Sequence, residues 1–322
     1  MILLWGLPGD RPLTAVHDAL CQQGHEIALV DQRMVLETAI ELFAGTSLTG
    51  TIMIQNRSID LARVTAFYIR SYCSTDLPLI QRAGQGSLEW QHAINVDDVL
   101  LSWAELTPAT VVNRPSAMAS NNSKPYQASF IQSVGFEVPA TLITTDPEAV
   151  ADFHHQYGEV IYKSISGVRS IVSRLRDAHA QRIADITWCP TQFQEYVPGT
   201  DYRVHVIGDE IFACAITSPS DDYRYATAQG ATTEIHSCEL PIDVEDRCLA
   251  LARALRMSVV GVDLRARADG RWYCFEVNPS PAFTYYQQAT GQPMARAVAR
   301  LLGAGSTEGR KPNSAVRNLI PP

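Results

Sequence analysis

Residues 259–279 read VVGVDLRARADGRWYCFEVNP, and the way this stretch folds decides the rest. Val259–Leu264 is apolar and β-branched, Arg267-Ala268-Asp269-Gly270 is a turn signal, and Trp272–Asn278 alternates until Pro279 ends it. The pattern predicts two strands joined by a turn. Glu276 and Asn278 are two apart and so share one face of the second strand, while Asp263 lies on the strand opposite. Two carboxylates and an amide oxygen are hard donors suited to Mg²⁺ that holds a nucleotide's phosphates. The same three residues on a solvated hairpin face would do nothing, so the choice rests on what else the chain supplies.

Bulk properties narrow the classes. At 322 residues and 46% hydrophobic, the chain can bury a full core and divide into two or three lobes. A formal net charge of −8, with no basic run, argues against a nucleic-acid partner. No apolar stretch is long enough to span a bilayer, so no membrane is expected. The start, MILLWGLPGDRPL, lacks a basic n-region and reads as a first strand and turn, not a signal peptide. Seven scattered cysteines without CxxC spacing predict buried reduced thiols and a reducing, cytoplasmic compartment.

Residues 1–112 alternate strand and helix signals. Strands are expected at Ile2–Trp5, Glu26–Val30, Gly50–Gln55 (after a loop), Val64–Ile69 and Thr110–Asn113, with helices at Leu13–Gln23 and Ser87–Leu106. That alternation implies a parallel sheet covered by helices. Arg70, just past a strand's carboxyl end, is a candidate anion contact. Ser123 can cap a helix that begins with Lys124 and stops at Gly135. A lysine in a first turn opposes the helix dipole, and an anionic ligand would offset it. Lys163, within the apolar run Val160–Ile165, is costly without an anion partner. The turn Ser166-Gly167-Val168-Arg169-Ser170 follows it and can fold backbone N–H groups over phosphates.

Farther on, Phe193–Val197 is extended and stops at Pro198-Gly199. Tyr202–Ile207 and Glu210–Thr217 flank the hairpin turn Gly208-Asp209. Asp201 and Arg203 share a strand face, one suited to accept from a hydroxyl and the other to hold a phosphate. Arg224 lies among aromatics in the loop Asp221–Tyr225, and His205 on the Arg203 face reads as structural. Val244–Met257 and Pro293–Leu302 are helices. The stretch from Gly303 on is rich in Gly, Pro, Ser and Asn and reads as a mobile tail.

In this order Lys124, Lys163, Gln194-Glu195-Tyr196-Val197-Pro198-Gly199, Asp201-Tyr202-Arg203, Asp263 and Glu276-Val277-Asn278 resemble the ATP-grasp superfamily, within it the RimK-like ligases. The resemblance implies a mixed α/β (α+β) fold. A Rossmann-like preceding domain, 1–112, would be followed by a two-lobed ATP-grasp domain, 113–303, with lobes at about 113–193 and 194–303 and a tail at 304–322. It also implies an ATP-dependent ligase that activates a carboxylate as an acyl phosphate and joins it to an amine. Lys163, Arg203 and Arg224 would be catalytic. ATP would be held by Lys124, Lys163, Ser166, Arg169, the backbone of Gln194, Glu195, Tyr196 and Val197, and by Asp201 at the ribose. Asp263, Glu276 and Asn278 would bind Mg²⁺, commonly two ions, with Mn²⁺ as an alternative. Substrates would be small-molecule or peptide carboxylates and amines, and similar enzymes are often homo-oligomers. Three departures stand out: one glycine, Gly167, in the turn after Lys163; Arg224-Tyr225-Ala226 where Arg-x-Asn is usual; and Ala282 where glycine is frequent. Tyr162–Ser166 and Ile59–Arg70 are also similar to ligases that cyclise ribosomal peptides through side-chain esters or amides. A nucleotide-binding protein without ligation activity is the reading from another class.

Overall fold

A computed structural model describes residues 1–45, 48–164, 172–218 and 232–305. Along the chain come β1 (Ile2–Gly6), α1 (Arg11–Gln22), β2 (Ile27–Asp31), β3 (Thr38–Ala44), β4 (Leu48–Ile54), β5 (Arg57–Asp60), β6 (Ala66–Arg70), α2 (Pro78–Ala83), α3 (Leu88–Leu106) and β7 (Thr110–Val112). Next are α4 (Pro115–Met118), α5 (Lys124–Ser133), β8 (Thr141–Thr144), α6 (Pro147–Tyr157), β9 (Val160–Ser164), β10 (Ser173–Arg174) and β11 (Thr191–Glu195). The last part holds β12 (Thr200–Ile207), β13 (Glu210–Thr217), β14 (Glu234–Ser237), α7 (Ile242–Ala254), β15 (Val259–Ala266), β16 (Trp272–Asn278), α8 (Thr284–Thr290) and α9 (Met294–Ala304).

Among the described residues these strands form four sheets. The first, ordered β2-β1-β6-β7, is parallel throughout, as the strand–helix alternation predicts. The expected loop between the second strand and Gly50 is instead partly strand: β3 pairs antiparallel with β4, and β4 with β5. In its sequence, TAIELFA, Thr38, Ile40 and Leu42 turn inward while the apolar Ala39 and Phe43 share the exposed face with Glu41, so no alternation of polar and apolar residues marks the strand. The second sheet, β10-β9-β11-β8, and the third, β14-β13-β12-β15-β16, are antiparallel.

One core unites the beginning and end of the described chain. Ile2, Leu4, Leu13 and Val16 pack with Ile207, Val259, Val298 and Leu302, so α9 closes back on α1. The opposite face of the parallel sheet packs Trp5 and Phe67 against Trp103 of α3. The third sheet covers its other face with α5 and α7 through Ile131, Val244 and Leu251. None of the helices is long and apolar enough to cross a membrane, among the described residues. The cysteines are all free, but Cys21, Cys73 and Cys189 are exposed, against the expectation of burial. Burial pushes the thiols of Cys214 and Cys248 up to about 11 and about 12, and that of Cys274 well up. The expected tail at 304–322 lies outside the described residues, apart from Ala304, which ends α9, and Gly305.

Candidate active site

The β15–β16 hairpin forms as its sequence demands. The register sets Asp263 directly opposite Glu276 and Gly261 opposite Asn278, with a bulge between Asp263 and Leu264. Asn278 Nδ2 lies 3.3 Å from Asp263 Oδ2. The three predicted ligands are therefore together on one face. Each carboxylate already has a cationic partner: Arg203 Nη1 donates to Asp263 Oδ1 at 2.5 Å and Lys124 Nζ to Glu276 Oε2 at 2.6 Å. Among the described residues no three His, Cys, Asp or Glu side chains cluster to hold a metal ion. The candidate set is thus two carboxylates and an amide, a hard oxygen set that fits Mg²⁺ and would suit zinc poorly.

Arg203 is 6% exposed. Its guanidinium lies over Gly261, where a Cβ would collide with it, and 5.6 Å from the centre of the Tyr286 ring. Gly261 is thus required by the space that Arg203 takes. His205, on the same face of β12, is fully buried, and burial together with Arg203 pushes its pKa well below the ordinary value. The structural reading of His205 fits that setting.

Lys124 does begin a helix capped by Ser123, whose side chain accepts from Tyr126 N–H. Its position is offset within the fold by Glu276, which replaces the expected anionic ligand as its first partner. Asp201 likewise differs from expectation: Arg265 takes both its oxygens, at 2.6 and 2.9 Å, and also donates to the Val197 carbonyl at 2.8 Å. The cross-strand register, Asp201 against Arg265 and Arg203 against Asp263, makes both pairs. Along the expected adenine hinge, Glu195 N–H is bound to Ala140 O and Tyr196 N–H to Glu159 O, and Tyr196's ring lies under Arg174 at 3.9 Å. Arg70 is also engaged, with both oxygens of Asp10 and with the Ser280 carbonyl and hydroxyl. Ser166, Arg169 and Arg224 lie outside the described residues.

Between the second and third sheets runs a cleft of about 590 Å³, lined among others by Lys124, Gln192, Gln194, Glu195 and Phe275. Lys163, half-buried, sits directly across the ladder from Gln192, on the Gln192–Gln194 face of the sheet. Gln194 donates to Thr141 Oγ1 at 2.9 Å, but the Oε1 atoms of Gln192 and Gln194 are buried with no hydrogen-bond donor among the described residues. A buried acceptor without a donor is costly, and an adenine ring brings an exocyclic amine and ring edges of the size this cleft admits. The donors and acceptors present fit a nucleotide with its metal. Sequence reasoning found Gln194 through the hinge pattern and missed Gln192; only the strand alternation around Lys163 could have pointed to it.

A family model described as the RimK-like ATP-grasp domain matches residues 121–302. The chain belongs to the RimK-like ATP-grasp family. Among curated relatives, a probable alpha-L-glutamate ligase of Vibrio cholerae serotype O1 is 26% identical over 203 residues, 59% of this chain and 66% of the relative. One from Legionella pneumophila is 23% identical, covering 57% and 64%. The chain therefore spans slightly less than two thirds of the length of these curated relatives. Among solved structures, the ATP-grasp ligase PsnB complexed with minimal precursor matches with TM-score 0.81 and 28% identity, over 95% of this chain and 98% of that one. The macrocyclase MdnC of Microcystis aeruginosa MRC, bound with precursor peptide MdnA, matches with TM-score 0.81 and 20% identity, over 94% and 99%. The mixed α/β architecture is that of ATP-grasp ligases, as the RimK-like resemblance implies.

Proposed function

We propose that this RimK-like ATP-grasp protein is an Mg²⁺-dependent ligase that activates a carboxylate with ATP and joins it to an amine, releasing ADP and phosphate. The observation that carries this reading is the β15–β16 register, with Asp263 against Glu276 and Asn278 on the same face, tied to the cleft through Lys124. When bound, ATP supplies the phosphoryl group that turns the carboxylate into an acyl phosphate, and Mg²⁺ neutralises its phosphates.

The chain's own residues do the rest. Asp263, Glu276 and Asn278 hold Mg²⁺, two ions or Mn²⁺ in their place. Lys124, Lys163, Ser166 and Arg169 bind phosphate oxygens. Arg203 and Arg224 balance charge on the transferring group, and phosphoryl transfer needs such positioning and charge more than covalent help. Gln194–Val197 hold adenine, with Gln192 and Gln194 supplying acceptors, and Asp201 binds the ribose in concert with Arg265. Residues 1–112 form a preceding domain, and 113–303 the two ATP-grasp lobes.

The favoured substrate is a peptide. PsnB, a ligase complexed with a precursor, resembles nearly the whole chain at 28% identity, and one of its complexes carries Mg and ADP. The glutamate-ligase relatives match only 59% of it or less. This supports a second, narrower form of the reading, in which the carboxylate and the nucleophile lie on one precursor peptide and the product is a side-chain ester or amide ring.

The test is incubation with ATP, Mg²⁺ and pools of peptides and amino acids, followed by mass spectrometry. Ring closure gives a peptide lighter by one water, whereas amino-acid ligation gives a heavier one. Glu276→Ala and Asn278→Ala should abolish Mg²⁺-dependent ADP release. ATP binding with unchanged Mg²⁺ dependence in both variants would sink the metal assignment.

A further inference from the structure

β16, which carries Glu276 and Asn278, is the edge strand of its sheet. An edge strand leaves a row of backbone N–H and C=O groups without a strand partner, and such groups must be satisfied where they are buried. Near its start, β16 is covered by the segment after α5: Glu137 N–H donates to Trp272 O at 3.0 Å, and Cys274 N–H donates to Glu137 O at 2.9 Å. At Val277 the cover is a single side chain. Gln127 Nε2 donates to Val277 O at 2.8 Å, and Val277 N–H donates to Gln127 Oε1 at 2.8 Å. One amide thus supplies both hydrogen bonds that a neighbouring strand would make, at a residue that is 0% exposed, from a glutamine that is 1% exposed.

We infer that Gln127 is a positioning residue for the metal-binding strand, fixing the backbone between Glu276 and Asn278 so that both side chains stay on the face they share with Asp263. This rests on the metal reading proposed above. Because both backbone groups of Val277 turn toward α5, those of the flanking residues turn toward β15, and the alternation that puts Glu276 and Asn278 on one face is set at this point. The hold from outside matters here because the ladder inside is irregular: the bulge between Asp263 and Leu264 falls at the pair Asp263–Glu276. The same turn of α5 carries Lys124, three residues earlier and so on the same helix face. Lys124 holds the Glu276 side chain while Gln127 holds the next residue's backbone, so one helical turn sets the ligand strand twice.

The test compares Gln127→Met, which keeps length and apolar packing but makes neither bond, and Gln127→Glu, which still accepts from Val277 N–H but sets a carboxylate oxygen against Val277 O. Mn²⁺ binding to the protein–ADP complex is followed by electron paramagnetic resonance, and amide exchange of residues 272–279 is followed in the ligand-free protein. Ile52→Val, in the buried core of the first domain, serves as a control for general destabilisation. The expected result is Mn²⁺ affinity lowered at least about tenfold in Gln127→Met and Gln127→Glu, faster exchange at Val277, and ADP affinity without metal unchanged. Wild-type Mn²⁺ binding with unchanged affinity in Gln127→Met overturns the inference alone, as does an equal loss in Ile52→Val. Wild-type protein that binds no Mn²⁺ in the presence of ADP overturns the metal reading and the inference with it.

Discussion

His205 shares a face of β12 with Arg203, with its ring 5.0 Å from that of Tyr286 and no solvent exposure. Its Nδ1 finds no partner among the described residues, and Arg203 Nε approaches its Nε2 at 3.5 Å. Burial first, and then the guanidinium, disfavours the imidazolium, so the folded state holds this ring neutral. In the unfolded chain the ring takes up a proton near its ordinary value of 6.5. Below that pH the unfolded state therefore binds more protons than the folded one, and stability is lost as pH falls. The expected contribution is about 1.4 kcal/mol per pH unit below that point for this single proton. Urea denaturation across mildly acidic pH, on wild type and His205→Gln, measures it: the variant should show a shallower decline, and identical slopes would remove His205 as the cause.

At the scale of elements, the site hairpin is held at both ends by one buried side chain from the end of β7. Asn113, 2% exposed, donates to Val259 O and Pro279 O at 2.6 Å each and accepts from the N–H groups of Ser258 and Val259. Asn113→Ala leaves four backbone groups, two buried and two part-buried, without that partner, at an expected cost of about 2–4 kcal/mol and a fall in Tm on the order of 5–10 °C. Asn113→Asp should be no better, because a carboxylate oxygen would then face the Val259 and Pro279 carbonyls. Thermal unfolding of the two variants checks this, and an aspartate variant as stable as wild type refutes it. Neither Asn113 nor Gln127 was legible in the sequence as part of the site, since their partners lie 146 and 150 residues away. What was legible is local: alternation gave β16, the Ser123 cap gave α5, and two-residue spacing gave the shared faces of Glu276 with Asn278 and Asp201 with Arg203. The pairings of Lys124 with Glu276 and of Asp201 with Arg265 depend on register between distant elements, which no local pattern states.

Across the whole molecule, the site loop is tied to the first sheet by Arg70. From the carboxyl end of β6 its guanidinium grips Asp10 at 2.9 and 3.1 Å, and reaches Ser280 Oγ at 2.6 Å, Ser280 O at 2.9 Å and Pro281 O at 3.3 Å. Asp10 also caps α1 through Leu13 N–H. The pair is nearly buried, with side chains 10% and 4% exposed. Removing one partner of such a pair strands the other charge, so Arg70→Met should cost about 3–5 kcal/mol. Asp10→Asn keeps the helix cap but weakens the pair. In the double variant the stranded charge is gone, so its loss should fall short of the sum of the single losses by at least about 1 kcal/mol. Activity should separate the two singles further. Ser280 and Pro281 follow directly after Asn278-Pro279, so only loss of Arg70 frees that loop, and kcat should drop more in Arg70→Met than in Asp10→Asn at a temperature where both are folded. Additive stabilities would mean that the two charges do not act as a pair, and equal activities would mean that the first sheet does not position the loop beside Asn278.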